Sequence, residues 1–222
     1  MKIAIDGPAG AGKSTISKAV AKKLGFIYID TGAMYRAVGL YAFRKGIDSA
    51  DKAGVVSVLD EVNITLSYDE SGQQIFLNGE NVSTDIRLPE ISVAASNVAV
   101  IPEVRLKLVE LQRELASKND VVMDGRDIGT YVLPDAEVKI FLTASPEERA
   151  NRRYKELLEK GVKTDYESVM ADMLYRDKND SEREFAPLKP AEDSIIFDNT
   201  EISAEESVDK LCEIVLERKA EK

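Results

Sequence analysis

The sequence predicts an α/β protein: five short buried strands in a parallel sheet flanked by helices, with a small antiparallel insert. Three observations predict it. Short apolar runs at residues 2–6, 26–30, 121–124, 138–142 and 194–198 alternate with stretches of helical period. A glycine-rich loop joins the first run to the first helical stretch. Between residues 63 and 87 apolar and polar residues alternate instead, around an Asn78-Gly79 pair, the strongest short hairpin signal.

The elements follow in chain order. Lys2 to Asp6 is β-branched and ends at Gly7, as a buried strand does. Ile16, Val20 and Leu24 are spaced by four, so residues 13–24 form a helix that Gly25 stops. The run at 26–30 is the second strand, and a helix then runs from near Ala33 to around Gly46. In the insert, Ile64, Leu66 and Tyr68 alternate with polar residues, and residues 69–72 supply a turn. Ile75, Phe76 and Leu77 lead into Asn78-Gly79. Helices are expected from about Glu90 to Val100 and from Glu103 to Ser117, with Pro102 marking the break. Strands at 121–124 and 138–142 restore the α/β rhythm. Pro146 opens a helix to about Lys160, where Gly161 ends it. A helix over 166–178, a strand over 194–198 and a helix over 204–219 complete the chain.

Bulk properties narrow the function. The length of 222 residues suits one α/β domain with an insert. A formal charge of -10 argues against a nucleic-acid-coating surface, though a few arginines can still gather around an anionic ligand. The single cysteine, Cys212, allows no intrachain disulfide and fits a reduced, cytoplasmic setting. No apolar stretch is long enough to span a bilayer, and the first apolar run is too short for a signal peptide. There is no histidine. Chemistry must run on carboxylates, lysine, arginine, hydroxyls, backbone amides and a borrowed metal ion.

Gly7-Pro8-Ala9-Gly10-Ala11-Gly12-Lys13-Ser14, followed by Thr15, matches a phosphate-binding loop. Glycines let successive N–H groups turn toward phosphate oxygens, and the helix beginning at Lys13 adds its positive end. Lys13 can reach the β- and γ-phosphates of ATP, and the Ser14 hydroxyl can ligate Mg²⁺. Asp124 ends an apolar strand where such folds place a magnesium-side carboxylate; capping the next turn is the alternative. Asp6 is a second acidic candidate.

A phosphate loop does not name the phosphate acceptor. No Asn-Lys-x-Asp guanine motif is present, and the chain is short for a transporter or motor ATPase. Three arginine-bearing groups point to a small-molecule kinase: residues 30–36, 124–129 and 176–183. The first two follow strands, so they share the rim that carries the loop. Arg149, Arg152 and Arg153 are spaced to face one side of a helix. They read either as charge-neutralising groups of a lid or as a solvated face paired with Glu147, Glu148 and Glu156. These residues leave open another acceptor (UMP, AMP, dephospho-coenzyme A or shikimate) or a nucleotide-switched binding protein.

The chain resembles the bacterial cytidylate kinases along essentially its whole length. The resemblance rests on Ile5-Asp6-Gly7-Pro8, the loop, Asp30-Thr31-Gly32-Ala33-Met34-Tyr35-Arg36, the hairpin insert and Ala95-Ser96-Asn97. Asp124-Gly125-Arg126-Asp127-Ile128-Gly129 and residues 176–188 complete it. It implies a P-loop kinase fold with its core at about 1–36, 118–150 and 185–222, a monophosphate-binding region with the β insert at about 37–117, and a lid at about 151–184. It implies a monomer that phosphorylates CMP and dCMP with ATP and Mg²⁺. Ser96, Arg105 and Asp127 match cytosine contacts, and Arg36, Arg126 and Arg183 match contacts to the acceptor phosphate. Thr31, Tyr35, Arg176 and Asp180 match contacts around the ribose and phosphate. Residues 197–200 are the expected adenine loop. Lys13, Arg126, Arg149, Arg152 and Arg153 are the expected catalytic set.

Overall fold

A computed structural model of the chain describes residues 1–69 and 72–220. In chain order it contains β1 (Lys2–Asp6), α1 (Lys13–Leu24), β2 (Ile27–Asp30), α2 (Thr31–Arg44) and the short α3 (Lys52–Ser57). Then come β3 (Ile64–Asp69), β4 (Gly72–Leu77), β5 (Glu80–Asn81), α4 (Pro89–Val98) and α5 (Pro102–Ser117). β6 (Val121–Gly125), β7 (Val138–Thr143), α6 (Pro146–Glu159), α7 (Tyr166–Glu182), β8 (Ile195–Asp198) and α8 (Ala204–Ala220) follow. No helix among the described residues is long and apolar enough to cross a membrane.

The chain divides into two compact units: Met1–Tyr28 with Asn119–Lys222, and Ile29–Lys118. The sheet of the first unit has five strands in the order β2-β6-β1-β7-β8. Parallel registers set Asp6 opposite Gly125 on one side and Phe141 on the other. From β1 the chain goes out to one side and later to the other, so the end of β1 lies where strand order reverses. Ile3, Ile5, Ile16, Val20, Val122, Ile140 and Leu142 form the core under this sheet, and Leu211, Cys212 and Val215 of α8 close it. Cys212 is a packing residue.

In the second unit β3, β4 and β5 form the antiparallel insert, with Ile64 opposite Leu77 and Asp69 opposite Gly72. Asn78 (φ 51°) and Gly79 (φ 86°) make the expected tight hairpin. Part of the turn expected over 69–72, residues 70 and 71, lies outside the described residues. Gly39 of α2 lies so close to α4 that an added Cβ would stand 3.0 Å from the Ala94 Cβ.

Several boundaries differ from the sequence expectation, each for a local reason. α2 starts at Thr31 rather than Ala33, because the Asp30 side chain accepts from the Ala33 N–H and caps the helix. α7 runs to Glu182 rather than Lys178, its last turn held by the tertiary contacts of Asp177 and Asp180 described below. β8 is an edge strand with alternating exposure rather than a fully buried one, and Ile196 is 56% exposed. α3 was not anticipated: it is capped by Asp51, which accepts from the Gly54 N–H. Neither was the π-helical turn at Ile128–Val132.

Candidate active site

The phosphate loop follows β1 and ends at Gly12, whose left-handed backbone (φ 86°) opens α1. Gly7 has φ 150°, and a Cβ there would lie 1.9 Å from the Leu142 carbonyl oxygen, so only glycine lets the loop pass β7 this closely. Lys13 is buried and donates from Nζ to the Pro8 oxygen at 2.6 Å. Burial holds its pKa well below the ordinary lysine value, and the Arg126 guanidinium adds to that.

Ser14 donates from Oγ to Asp124 Oδ2 at 3.0 Å, and the Tyr28 hydroxyl donates to Asp124 Oδ1 at 2.9 Å. Asp124 is only 4% exposed and faces the phosphate-loop helix. A hydroxyl and a carboxylate brought together beside a phosphate loop are the hard oxygen donors that suit Mg²⁺.

Asp6 does something else. Its two carboxylate oxygens accept from the Ile128 and Gly129 N–H groups, each at 2.7 Å. Both oxygens accept from the backbone, so Asp6 anchors the turn after Asp127. Burial lifts its pKa to about 6, against the pull of those two N–H groups.

The α6 arginines part company. Arg149 donates from Nη1 to the Ala9 oxygen at 2.9 Å and to Asp177 Oδ2 at 2.5 Å, and from Nε to the Ala144 oxygen at 3.1 Å. Arg152 donates from Nε to Glu148 at 2.8 Å and from Nη1 and Nη2 to Asn199 at 3.0 and 2.8 Å. Asn199 in turn donates from Nδ2 to the Ala11 oxygen at 3.1 Å. Arg149 therefore touches the loop directly and Arg152 reaches it through Asn199. Arg153 pairs instead with Glu156 at 2.8 Å along its own helix.

On the same unit, two aspartate–arginine pairs gather the groups after β6 and on α7. Arg126 donates from Nε to Asp180 Oδ2 at 2.7 Å. Burial pushes the Asp180 carboxyl up, but Arg126, together with Arg183 and Arg176, outweighs it and holds the pKa below the ordinary carboxylate value. Arg183 donates from Nη2 to Asp127 Oδ1 at 3.1 Å and from Nε to the Ala186 oxygen at 2.6 Å. Arg183 and Asp127 are 5% and 7% exposed in their side chains, a nearly dry pair. Arg176 lies on α7, and its charge also favours ionised Asp180.

The second unit carries the other expected contacts. Thr31, Tyr35 and Arg36 occupy the start of α2, with Arg36 Nη1 4.0 Å from the capping Asp30. Arg105 of α5 is 1% exposed, donates to the Ala99 oxygen at 3.2 Å and lies 5.8 Å from the Tyr35 ring centroid. Ser96 lies half-buried on α4.

Sequence reasoning did not single out Tyr28, Asp177 or Asn199. Asp177 lay inside the quoted 176–183 group and Asn199 inside the expected adenine loop. Tyr28 carried no signal, since its partner Asp124 is 96 residues away.

The family model described as cytidylate kinase matches residues 3–217. A protein named cytidylate kinase from Caldicellulosiruptor bescii is 53% identical over 96% of this chain and 95% of its own. Another, from Caldicellulosiruptor saccharolyticus, is 54% identical over the same shares. Among solved structures, an uncharacterised protein from Eubacterium ventriosum covers 97% of this chain and 98% of its own at 14% identity, with a TM-score of 0.55; that likeness speaks to the fold alone. With the family match running through both units, the chain belongs to the cytidylate kinase family.

Proposed function

We propose that this chain transfers the γ-phosphoryl group of ATP to CMP and dCMP, yielding ADP with CDP or dCDP. The observation that carries the reading is that the first unit contains Lys13, the Ser14–Asp124 pair and two aspartate–arginine pairs, Arg126–Asp180 and Arg183–Asp127, which supports phosphate binding there.

The roles follow from charge. Residues 7–15 hold the ATP phosphates through their backbone N–H groups, except that Pro8 has none and the Ala9 N–H is held by Asp177, and Lys13 exchanges the Pro8 oxygen for a phosphate oxygen. Ser14 and Asp124 would hold Mg²⁺, which would supply neutralisation of phosphate charge. Arg36, Arg126 and Arg183 aim the CMP phosphate, whose oxygen attacks the γ-phosphorus as the bond to ADP breaks. That phosphate is already largely ionised near neutrality, so no general base is needed, in keeping with a chain without histidine. Asp127 accepts from the exocyclic amine of cytosine, while Arg105 and Ser96 serve its other polar edge. Uracil would turn a carbonyl toward Asp127, a mismatch in a dry site. Thr31, Tyr35, Arg176 and Asp180 engage the ribose and phosphate. Arg149, Arg152 and Arg153 neutralise the moving phosphoryl group once a lid at about 151–184 closes and shields the transfer from water. Residues 197–200 take the adenine. The protein acts as a cytoplasmic monomer on small molecules.

The test is ADP production from ATP·Mg²⁺ with CMP, dCMP, UMP, AMP or no acceptor. Turnover concentrated on CMP and dCMP supports the reading. Equal turnover on every acceptor, or the same rate with none, overturns it.

A further inference from the structure

Asp177 has no part in the roles above, yet it touches both the phosphate loop and an arginine of the transfer site. It stands on α7 between Arg176 and Asp180. Its Oδ1 accepts from the Ala9 N–H at 3.2 Å and its Oδ2 from Arg149 Nη1 at 2.5 Å. Arg149 Nη1 also donates to the Ala9 oxygen at 2.9 Å. One residue of the loop thus has its N–H held by α7 and its carbonyl held by α6, and a single carboxylate ties the two together.

The Arg149 guanidinium is locked by this arrangement. Its Nε and both Nη1 bonds end on Ala144, Ala9 and Asp177. Among the described residues no acceptor is found for Nη2. Its side chain is 6% exposed, yet Nη2 is not among the fully buried unpartnered atoms, so those two N–H groups open toward solvent beside the loop. At the Arg149 backbone the fit is equally tight: a Cβ on Gly10 would lie 2.9 Å from the Arg149 oxygen. The helix is seated by Gly10 and the side chain is aimed by Asp177.

We infer that Asp177 is a positioning residue for phosphoryl transfer: it fixes the Arg149 guanidinium against the phosphate loop. The inference rests on the reading that Arg149 meets the transferring phosphoryl group. A group held in place before the reaction costs no reorganisation at the transition state. Loosening it lowers kcat while leaving ground-state binding of CMP nearly unchanged.

The experiment is a double-mutant cycle on the full chain with Asp177→Asn, Arg149→Ala and the double variant, with kcat and KM measured for CMP and ATP. Asp177→Asn is expected to lower kcat about 10- to 100-fold, with KM for CMP within about twofold. The double variant is expected to be no slower than Arg149→Ala, because Asp177 acts through Arg149. Asp177→Ala gives a second variant with the same expectation, and urea midpoints show that each variant is folded. A slow Arg149→Ala beside an Asp177→Asn of wild-type kcat overturns the inference alone. So do losses that multiply in the double variant. A wild-type kcat in Arg149→Ala overturns the role of Arg149 and the inference with it.

Discussion

Replacing Asp6 by Asn probes the anchor that holds the turn after Asp127. The carboxylate accepts two N–H bonds at 2.7 Å, but it does so in a buried place that lifts its pKa from 3.8 to about 6. A carboxyl with a higher pKa in the folded chain than in the unfolded one binds its proton more tightly when folded. Its contribution to stability is complete below about pH 3.8 and is lost as the pH rises through about 6. A rise from 3.8 to about 6 corresponds to about 3 kcal/mol at 1.36 kcal/mol per pH unit. Asn carries no such titration. Its amide can accept one of the two N–H bonds and must present a donor to the other, which costs about 1–3 kcal/mol. Wild type should therefore exceed the variant most clearly near pH 4 and approach it near pH 7. Urea unfolding of both proteins from pH 4.5 to 7.5 checks this, because the difference cancels the carboxylates they share. A stability difference that stays flat, or that grows in favour of wild type as the pH rises, refutes the reasoning.

Other substitutions test the remaining contacts. Gly7→Ala drives a Cβ to 1.9 Å from the Leu142 oxygen and should destabilise the chain by about 3 kcal/mol or more. Gly25→Ala, at φ 72° with nothing within 4 Å of the added Cβ, should cost only about 1 kcal/mol. Urea midpoints compare the two. Asp127→Asn removes the charge that pairs with the nearly dry Arg183 at 3.1 Å and should cost about 3 kcal/mol of stability. It should also narrow the preference in kcat/KM for CMP over UMP, read by acceptor competition. Asp124→Asn weakens the pair with Ser14, so half-maximal activity should need several times more Mg²⁺; a magnesium titration reads the shift.

Local signals carried most of the fold. The spacing of Ile16, Val20 and Leu24 placed α1, and Gly25 ended it in the left-handed conformation. Asn78-Gly79 placed the hairpin because its φ values admit few other residues. What escaped was set by tertiary contact. The turn at Ile128–Val132 depends on Asp6, more than 120 residues earlier in the chain. The last turn of α7 is rich in polar residues and reads as loop until Asp180 finds Arg126 and Asp177 finds Arg149. The site divides in the same way. The phosphate loop is legible because consecutive residues build it. Tyr28, Asp177 and Asn199 matter through partners far along the chain, and a single sequence does not display those pairings. The α6 arginines show the limit of helical spacing: Arg149 and Arg152 turn to the loop while Arg153 pairs with Glu156.

The most direct test follows the phosphoryl group itself. ATP labelled with ³²P at the γ position is incubated with the protein, Mg²⁺ and CMP, and the products are separated. The account predicts label in CDP, with little in inorganic phosphate whether or not CMP is present. Label released as inorganic phosphate at the same rate with and without CMP, and none in CDP, would contradict it.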